Sequence, residues 1–576
     1  MKLFTGRGDA ISPNMFGLFF EDINFAADGG LYAELIENRS FEAKDAYGNP
    51  GNFYAVEDPG YAWSPVGSPE MKFVTGTPLC SANPHYLRFT ATAPGQGFQN
   101  KAYDGIFAKK GETLHVVFYA RAVRFQGDFL IAVQKDGTDI CRKALRCTPA
   151  IPFLPFTDTT DDFVPGMKEW DDEIRKIRNM DKTGMAPASE WMKYETELPV
   201  PEDIEGARFA ITLSEEGIVD FDFISVIPKS AVAGVFRKDI FDVLREMHPG
   251  FIRFPGGCIV EGISLENRYR WKNTVDEPIK RRYIPNLWAF DDDRKKETNA
   301  QRPDSHHGQS FGLGFYEYFL LCELIGAKPL PVLSMGVACQ FRSTEMFAPD
   351  SPEFEEMVQD ALDLIEFANG PKDSKWGSIR AKMGHPESFG MDMLAIGNEQ
   401  WETKTLKLFE RNDRFEKAIH AKYPGFRLLG TAGPIVDAPI TAEAWNYYRE
   451  GVKKGRDFCY AVDEHYYKSP EWMYEHVTLY DNYPKEPAVF AGEYAAHTAD
   501  RANSMESALA EAAMMTGFEN NAGVVKLASY APLFNRIGHS QWKPDMIWFD
   551  AKNVFLTPNY YVQKLFACNL GAHVLE

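Results

Sequence analysis

Two glutamates that each follow a short apolar segment are the residues best placed for acid–base and nucleophilic chemistry. Glu399 follows MLAIGN and Glu493 follows AVFAG. Burial beside such segments raises a carboxyl pKa and can keep one acid protonated near neutral pH. Hydrolysis of a glycosidic bond needs one carboxyl group to protonate the leaving oxygen and a second to attack the anomeric carbon or activate water. The pair therefore indicates glycoside hydrolysis, although a glutamate at a strand end is also commonly a salt-bridge or helix-capping residue.

Further polar and aromatic residues lie close in sequence to predicted strand ends. Asn398 could donate a hydrogen bond to a sugar hydroxyl, and Trp401 could stack on a sugar ring. Arg253 lies two residues before a Pro-Gly-Gly sequence. Its guanidinium could form an ion pair with a carboxylate, and the glycines would let the backbone approach a ligand. His465 and Tyr467 are two positions apart, so a strand would turn both to one face. Each also has a structural interpretation, as a turn former, a barrel lid, a buried cation or a core ring.

The elements that would position these residues alternate along most of the chain. From about residue 230, apolar strand-like segments alternate with helical patterns, which is typical of a parallel sheet wrapped by helices. Gly17–Asp22 supplies an eighth strand, and a helix is predicted directly after it at Leu31–Asn38. Eight strands predict an α/β fold of the (β/α)8 barrel type, whose catalytic side chains gather at the C-terminal strand ends. The other seven predicted strands are Phe251–Pro255, Lys328–Met335, Met391–Asn398, Phe426–Thr431, Tyr460–Tyr466, Ala488–Glu493 and Gly523–Ser529.

Residues 45–228 have a different character from the rest of the chain. LHVVFYARA, DFLIAVQ, ARFAITLS and VDFDFISVIP have the length and pattern of strands, and KKGE, KDGT and EEG predict turns between strands. We predict that 45–228 form an inserted β-sandwich that contributes no catalytic residue. Residues 1–44 then supply the first barrel strand and helix, and residues 229–576 the remainder of the barrel. The acidic, proline-containing stretch Asp158–Glu173 predicts a surface loop.

Composition restricts the partners and the compartment. The 576 residues carry a formal net charge of -20, which opposes binding to nucleic acid or to an anionic membrane and favours neutral substrates. No run of 18 or more apolar residues predicts a membrane span. The N-terminus lacks a signal peptide, so the sequence as given predicts a cytoplasmic protein, or a secreted or periplasmic one if a leader has been removed. The eight cysteines include no CxxC pair, so neither a zinc site nor a disulfide framework is predicted.

Several long motifs resemble one family of enzymes. GLFFEDINFAADGGLYAELIENRSFE, FIRFPGGCIVEG followed by YRWKNT, AIGNEQWE, DEHYY and VFAGEY are similar to glycoside hydrolase family 51, the α-L-arabinofuranosidases. The motifs span nearly the whole chain, in the family's order and at compatible spacing. The segments NKAYDGIFAKKGE and DFDFISVIP are similar to the carbohydrate-binding-like sandwich that one branch of the family carries after its first barrel strand.

The resemblance implies a role for each matching residue. It makes Glu399 the general acid/base and Glu493 the nucleophile of a retaining mechanism that uses no cofactor and no metal. Glu21, Asn398 and Tyr467 match positions that contact the arabinofuranosyl ring.

Two features depart from the family pattern. Cys258 stands where part of the family has Asn after two glycines, so we expect a substrate contact there that differs from the usual one. The sequence also stops soon after the last predicted barrel helix, near Pro558–Leu570, so we expect the family's usual C-terminal β-sandwich to be absent.

The resulting expectation is an exo-acting enzyme that releases terminal α-L-arabinofuranosyl residues from arabinan, arabinoxylan or derived oligosaccharides. The scaffold equally allows an endo-acting glucanase or xylanase, because fold and carboxylate pair do not fix the sugar. A non-catalytic carbohydrate-binding protein is a further alternative, against which the intact Glu399 and Glu493 argue. The sequence is compatible with a homo-oligomer and does not fix the oligomeric state.

Overall fold

The centre of the molecule is a closed barrel of eight parallel strands. The computed structural model describes residues 6–49, 51–148, 190–290, 304–456 and 459–575; the loop predicted at Asp158–Glu173 lies outside them. The barrel strands are paired in the cyclic order β2-β3-β4-β5-β6-β7-β8-β1, which confirms the (β/α)8 prediction. In chain order they are β1 (Phe16–Phe19), β2 (Phe251–Phe254), β3 (Lys328–Leu333), β4 (Met393–Ile396), β5 (Arg427–Thr431), β6 (Ala461–Lys468), β7 (Ala488–Ala496) and β8 (Val525–Tyr530).

Strand β1 closes the barrel although a large insertion separates it from β2. Leu18 is paired with Ile252 on β2, and Gly17 with Ser529 on β8. The long connection is tolerated because loop-closure entropy grows only logarithmically with length.

Helices surround the barrel between successive strands. Several begin with a hydroxyl residue followed by proline: the side chains of Ser351, Ser469 and Thr557 each accept a hydrogen bond from a backbone N–H of the first turn, and proline occupies the next position. The principal helices are Lys238–Arg245, Phe315–Ile325, Pro352–Asn369, Lys375–Lys382, Leu408–Lys422, Pro439–Lys453, Pro470–Glu475, Met505–Asn520 and Pro558–Cys568. Short helical turns lie at Cys258–Glu261, Trp271–Thr274, Pro278–Lys280 and Leu287–Phe290.

The helix predicted at Leu31–Asn38 is wrong. A short π-type turn spans Ala27–Leu31, and residues 33–36 have no regular structure. The reason is that this segment leads into the insertion and pairs with it: the N–H of Leu35 donates to the carbonyl of Val226, and Glu34 accepts from the Val226 N–H. These contacts replace the hydrogen bonds that a helix would make.

Residues of the insertion form two antiparallel sheets around a hydrophobic core separate from that of the barrel. One sheet has the order Met192–Pro199, Thr113–Arg124, Gly217–Pro228, Tyr86–Ala91, Glu70–Val74. The other has the order Thr138–Arg146, Asp128–Lys135, Ile204–Leu213, Gly97–Asn100, Trp63–Val66, with Ile106–Ala108 also pairing to its central strand.

The sheets begin later than residue 45. Residues Lys44–Asn49 and Asn52–Glu57 form a separate hairpin. Its Phe53 packs edge-on against Phe290 of the barrel loops, with ring centroids 5.8 Å apart, and the N–H of Ala46 donates to the Ser305 carbonyl. This hairpin therefore packs on the barrel side of the junction.

A cleft of about 430 Å³ lies where the sandwich meets the barrel. Tyr32, Tyr103, Phe107 and Arg237 are among the residues that line it, and neither Glu399 nor Glu493 does.

Small sheets complete the described chain: Arg7–Ala10 with His573–Leu575, Ile284–Pro285 with Gly308–Gln309, and Phe534–Arg536, Ile547–Phe549 and Val554–Leu556 together. Within the described ranges, none of the helices has the length and apolarity needed to cross a bilayer.

Candidate active site

The two glutamates singled out by the sequence meet at the C-terminal end of the barrel. A carboxylate oxygen of Glu399, one of Glu493 and a ring nitrogen of His465 all lie within 4.8 Å of one another. The Glu493 side chain is 7% exposed and that of Glu399 is 12% exposed. Glu493 is thus the deeper of the two, and Glu399 lies nearer to solvent.

An irregularity between β6 and β7 turns Glu493 into the barrel. Ala488 and Phe490 belong to the interior cluster, so strict alternation would turn Gly492 inward and Glu493 outward. The register between the strands shifts here, because Glu464 is opposite Ala491 whereas the next residue, His465, is opposite Glu493. Such a bulge re-aims the side chain that follows it.

Glu399 has a backbone conformation that is rare for a residue with a side chain. Its φ is 56°, in the left-handed region, two residues after Gly397 with φ of 83°. A non-glycine residue in this region costs on the order of 1–3 kcal/mol and is found preferentially at functional sites. The sharp turn after β4 aims the carboxyl group towards the barrel axis.

Two donors hold the Glu493 carboxylate. Arg253 Nη1 donates to Oε1 at 2.7 Å, and the Tyr467 hydroxyl donates to Oε2 at 2.7 Å. Burial raises the pKa of Glu493, and the positive charges of His465 and Arg253 act against that shift. Both oxygens are therefore oriented, as attack by a carboxylate requires.

His465 places a positive charge beside both glutamates. Its Nδ1 lies 2.8 Å from Glu399 Oε1 and 3.6 Å from Glu493 Oε1, and its Nε2 lies 3.2 Å from Asp463. Burial disfavours a charged ring, but Glu493 and Asp463 outweigh that effect and raise the pKa of His465 to about 10. The ring is a cation at neutral pH and donates to Glu399.

Asn398 is fixed by a buried polar network. Its Oδ1 accepts from Arg253 Nη2 at 2.7 Å, and its Nδ2 donates to Glu261 at 3.0 Å. Gln400 also donates to Glu261, at 2.6 Å. The network sets the position of the turn that carries Glu399.

The two glycines after Pro255 make room for carboxylates. A Cβ on Gly256 would meet Glu21 Cγ at 2.6 Å, and one on Gly257 would lie 3.0 Å from Glu493 Oε1. The Ile259 N–H donates to Glu21 at 3.1 Å. Burial, reinforced by the charge of Glu493, raises the pKa of Glu21 to about 8, so Glu21 is mainly protonated at neutral pH.

Cys258 lies on the Glu399 side of the pocket. Its Sγ contacts Glu399 Oε2 at 4.0 Å, and Arg342 Nη1 donates to it at 3.5 Å. Trp401 is anchored through its backbone N–H to Gln340 at 3.0 Å, and its ring packs against Phe341 at 5.3 Å between centroids.

Aromatic side chains pack around Tyr467, whose hydroxyl donates to Glu493. Tyr467 packs on His497 and on Trp542, with centroids 5.1 and 5.9 Å away. Trp542 Nε1 and His497 Nε2 are buried and have no hydrogen-bond partner among the described residues. Burial lowers the pKa of His497 to about 4, so this ring is neutral and can donate or accept. Rings with unused polar atoms suit a ligand rich in hydroxyl groups.

The structure brings Arg253, Cys258, His465 and Tyr467 into contact with Glu399 or Glu493, and Asn398 into contact with Arg253. Glu21 lies near enough to Glu493 for that charge to raise its pKa, and Trp401, two residues after Glu399, packs on Phe341. Sequence analysis missed Asp463 and Glu261. Asp463 could have been found because it shares the alternation of His465 and Tyr467 on β6. Trp542 and His497 lie beyond barrel strands in segments with no such pattern.

In the part of the chain that the structure describes, two sets of side chains place potential metal ligands within 4.8 Å of one another: Glu399 with His465 and Glu493, and Cys258 with Glu261 and Cys339. In the first set, His465 is a cation and both glutamates already have donors, an arrangement suited to proton transfer.

Two family models of known proteins match overlapping parts of the chain. Residues 243–485 match the family described as "Alpha-L-arabinofuranosidase 1 domain", and residues 473–576 match "Alpha-L-arabinofuranosidase C-terminal domain". In this chain the second range includes β7, β8 and the helix Pro558–Cys568.

Curated relatives align along nearly the whole chain. An extracellular exo-α-L-arabinofuranosidase of Streptomyces chartreusis is 34% identical over 99% of this chain, which spans only 61% of that relative's length. Alpha-L-arabinofuranosidase 1 of Arabidopsis thaliana is 31% identical, over 99% of this chain and 74% of the relative. The fold is similar to the arabinose-bound structure of the MgGH51 α-L-arabinofuranosidase, with a TM-score of 0.79 and 24% identity, covering 99% of this chain and 83% of that one. The chain belongs to glycoside hydrolase family 51, the α-L-arabinofuranosidases.

Proposed function

We propose that this protein is an exo-acting, retaining α-L-arabinofuranosidase that releases terminal arabinofuranosyl residues from arabinan, arabinoxylan or their oligosaccharides. The observation that carries the proposal is the separation of the two carboxylates. Retaining glycosidases hold them about 5–5.5 Å apart, and inverting enzymes about 6.5–9.5 Å apart to admit a water. Oxygens of Glu399 and Glu493 within 4.8 Å favour retention.

The surroundings of the two acids support different roles. Glu493 is deep, and its oxygens are oriented by Arg253 and Tyr467, which suits a nucleophile. Glu399 is more exposed, and a proton donor must reach both the departing sugar and, later, incoming water.

In the first step Glu493 attacks the anomeric carbon while Glu399 protonates the leaving oxygen. The glycosidic bond breaks and an ester to Glu493 forms. That ester removes the negative charge that faced Glu399 and His465. Glu399 then takes a proton from water, which attacks the anomeric carbon and releases arabinose with its original configuration.

Glu21, Asn398 and Tyr467 are proposed to contact the bound furanose, with Arg253, Cys258, His465 and Trp401 completing the substrate site. Glu21, protonated near neutral pH, can donate a hydrogen bond to a hydroxyl group. Trp542 and His497 add, beside Tyr467, ring nitrogens that have no hydrogen-bond partner among the described residues.

A panel of nitrophenyl glycosides tests the proposed substrate. We expect rapid hydrolysis of the α-L-arabinofuranoside and little turnover of the β-xyloside and β-glucoside. Release of arabinose alone from arabinan and arabinoxylan would establish exo action, whereas short oligosaccharides from glucan or xylan would favour an endo-acting enzyme. Product configuration, followed by NMR at early times, must match that of the substrate if the mechanism is retaining.

A further inference from the structure

Behind the proton donor lies a pair of cysteines that the proposed hydrolysis does not use. Cys258 opens the short helix Cys258–Glu261 after β2, and Cys339 lies in the loop after β3. Their sulfur atoms and a Glu261 oxygen all lie within 4.8 Å of one another. The N–H of Cys339 donates to the Gly262 carbonyl at 2.9 Å, so the two backbone segments are tied together beside the sulfurs.

One guanidinium group bridges both sulfurs. Arg342 Nη1 lies 2.9 Å from Cys339 Sγ and 3.5 Å from Cys258 Sγ. A hydrogen bond from the Cys258 thiol, together with the charge of Arg342, lowers the pKa of Cys339 against the opposing effect of burial. A cation beside a thiol favours the thiolate, which is the reactive form.

Cys258 is the more accessible of the two cysteines. Cys339 is 1% exposed, whereas Cys258 is only partly buried and contacts Glu399. The site therefore suits only a small oxidant, which must pass Cys258 to react with Cys339. A thiolate next to a second cysteine that can resolve a sulfenic acid is one feature of redox-sensitive thiols.

We propose that Cys258 and Cys339 form a reversible disulfide at the edge of the active site and that its formation inhibits the enzyme. The oxidant is a peroxide. The Cys339 thiolate attacks one peroxide oxygen; an S–O bond forms, the O–O bond breaks and hydroxide leaves, so sulfur loses two electrons to the peroxide. The Cys258 sulfur then attacks Cys339, an S–S bond replaces the S–O bond, and the Cys258 proton leaves with the hydroxyl as water.

Inhibition follows from the position of Cys258. A disulfide requires the sulfurs to approach to about 2.05 Å, which changes the position of the Cys258 Sγ that contacts Glu399 at 4.0 Å. Gly257, on which a Cβ would lie 3.0 Å from Glu493 Oε1, precedes Cys258, so a backbone shift at Cys258 would reach the Glu493 carboxylate. Displacement of a catalytic group by about 1 Å can cost on the order of 10²-fold in rate.

The inhibition rests on the proposed function, but formation of the disulfide does not. The experiment therefore measures the disulfide and the activity separately. Reduced full-length protein is treated with hydrogen peroxide, free thiols are alkylated, and peptides are analysed by mass spectrometry. We expect a linked peptide pair containing Cys258 and Cys339 that dithiothreitol separates. Hydrolysis of nitrophenyl arabinofuranoside should fall by about 10- to 100-fold and recover with dithiothreitol.

Variants make the outcome decisive. Cys339→Ser and Cys339→Ala should form no linked pair and keep their activity in peroxide, whereas Cys322→Ser, which removes a buried cysteine elsewhere in the barrel, should respond like the parent. Cys258→Ser should stop at a sulfenic acid on Cys339 that dimedone traps. Arg342→Gln, which removes the cation beside both sulfurs, should slow the formation of this sulfenic acid.

The proposal is overturned if the parent forms no Cys258–Cys339 pair, or if Cys339→Ser and Cys339→Ala lose activity in peroxide as the parent does. A protein that forms the pair but hydrolyses no arabinofuranoside would instead refute the proposed function.

Discussion

Arg253 donates a hydrogen bond at 2.7 Å to Glu493, a residue 240 positions away on β7. The arginine comes from β2 and is fully buried, two positions after the interior residue Phe251. Its other terminal nitrogen donates to Asn398. One guanidinium thus orients the proposed nucleophile and the residue that precedes the proposed acid/base.

Replacement of this arginine should destabilise the protein as well as inactivate it. Arg253→Met removes one of the two cations, Arg253 and His465, that contact the buried Glu493 and Asp463. Removal of one partner of a buried ion pair costs about 3–5 kcal/mol. We expect a clearly lower apparent melting temperature by calorimetry. Arg245→Met, which removes an exposed ion pair with Asp242, is the control and should change the melting temperature little. Equal effects of the two substitutions would contradict the role given to Arg253.

Leaving-group dependence should identify Glu399 as the acid/base. Glu399→Ala should lower kcat/KM on natural arabinosides by about 10²–10⁴-fold, because their leaving group needs a proton. The loss in the first step should be much smaller with dinitrophenyl arabinofuranoside, whose leaving group does not. Azide needs no general base, so it should restore turnover and give the arabinosyl azide with retained configuration.

The nucleophile variant should show a different pattern. Glu493→Ala cannot form the covalent intermediate, so we expect a loss of at least about 10³-fold even on the activated substrate. Any rescue by azide should occur by direct attack and give inverted configuration. If the two variants exchanged these patterns, the assignment of Glu399 and Glu493 would have to be reversed.

The hydroxyl of Tyr467 should matter for rate more than for folding. Tyr467→Phe removes the donor at 2.7 Å from Glu493, and loss of one oriented donor at a reacting centre costs on the order of 10²-fold in kcat. Tyr494→Phe is the matched control, because that hydroxyl donates to Gln563, away from the carboxylates. Steady-state kinetics on nitrophenyl arabinofuranoside compare the two. Similar kcat values for both variants would show that the Tyr467 hydroxyl is not used.

Ionisation of Glu21 should lower the activity at alkaline pH. Its pKa of about 8 means that the neutral form is lost as pH rises, which adds a negative charge beside Glu493 and removes a donor for the sugar. We expect kcat/KM to fall above about pH 8 in the parent and this limb to be absent in Glu21→Gln, whose overall activity is lower.

The Glu21 carboxyl should also make the folded protein less stable as the pH rises. A carboxyl whose pKa is raised on folding contributes stability that is full below its unfolded value, near pH 4.5, and is lost as pH rises through about 8. Between pH 5 and pH 8.5, Glu21→Gln should therefore lose less stability than the parent in thermal unfolding. Equal losses in the variant and the parent over this range would mean that Glu21 is already ionised in the folded protein.

Local sequence determined the barrel and most of its strands. Apolar segments such as Ala488–Glu493 must be buried, and their alternation with amphipathic helices permits few arrangements besides a parallel barrel. A functional role for strand-end residues such as Glu399 follows from the same rule, because the C-terminal ends of parallel strands converge.

Tertiary structure decided what local pattern could not. Residues at Leu31–Asn38 have a helical pattern but pair with the insertion, since contacts with distant residues override a weak local preference. Period-two alternation would turn Glu493 away from the barrel, and only the register shift against β6 turns it inward. Likewise, Cys258 and Cys339 are 81 positions apart in sequence, and no spacing rule predicts that one arginine would hold both sulfurs beside Glu399, because closure of the barrel brings their loops together.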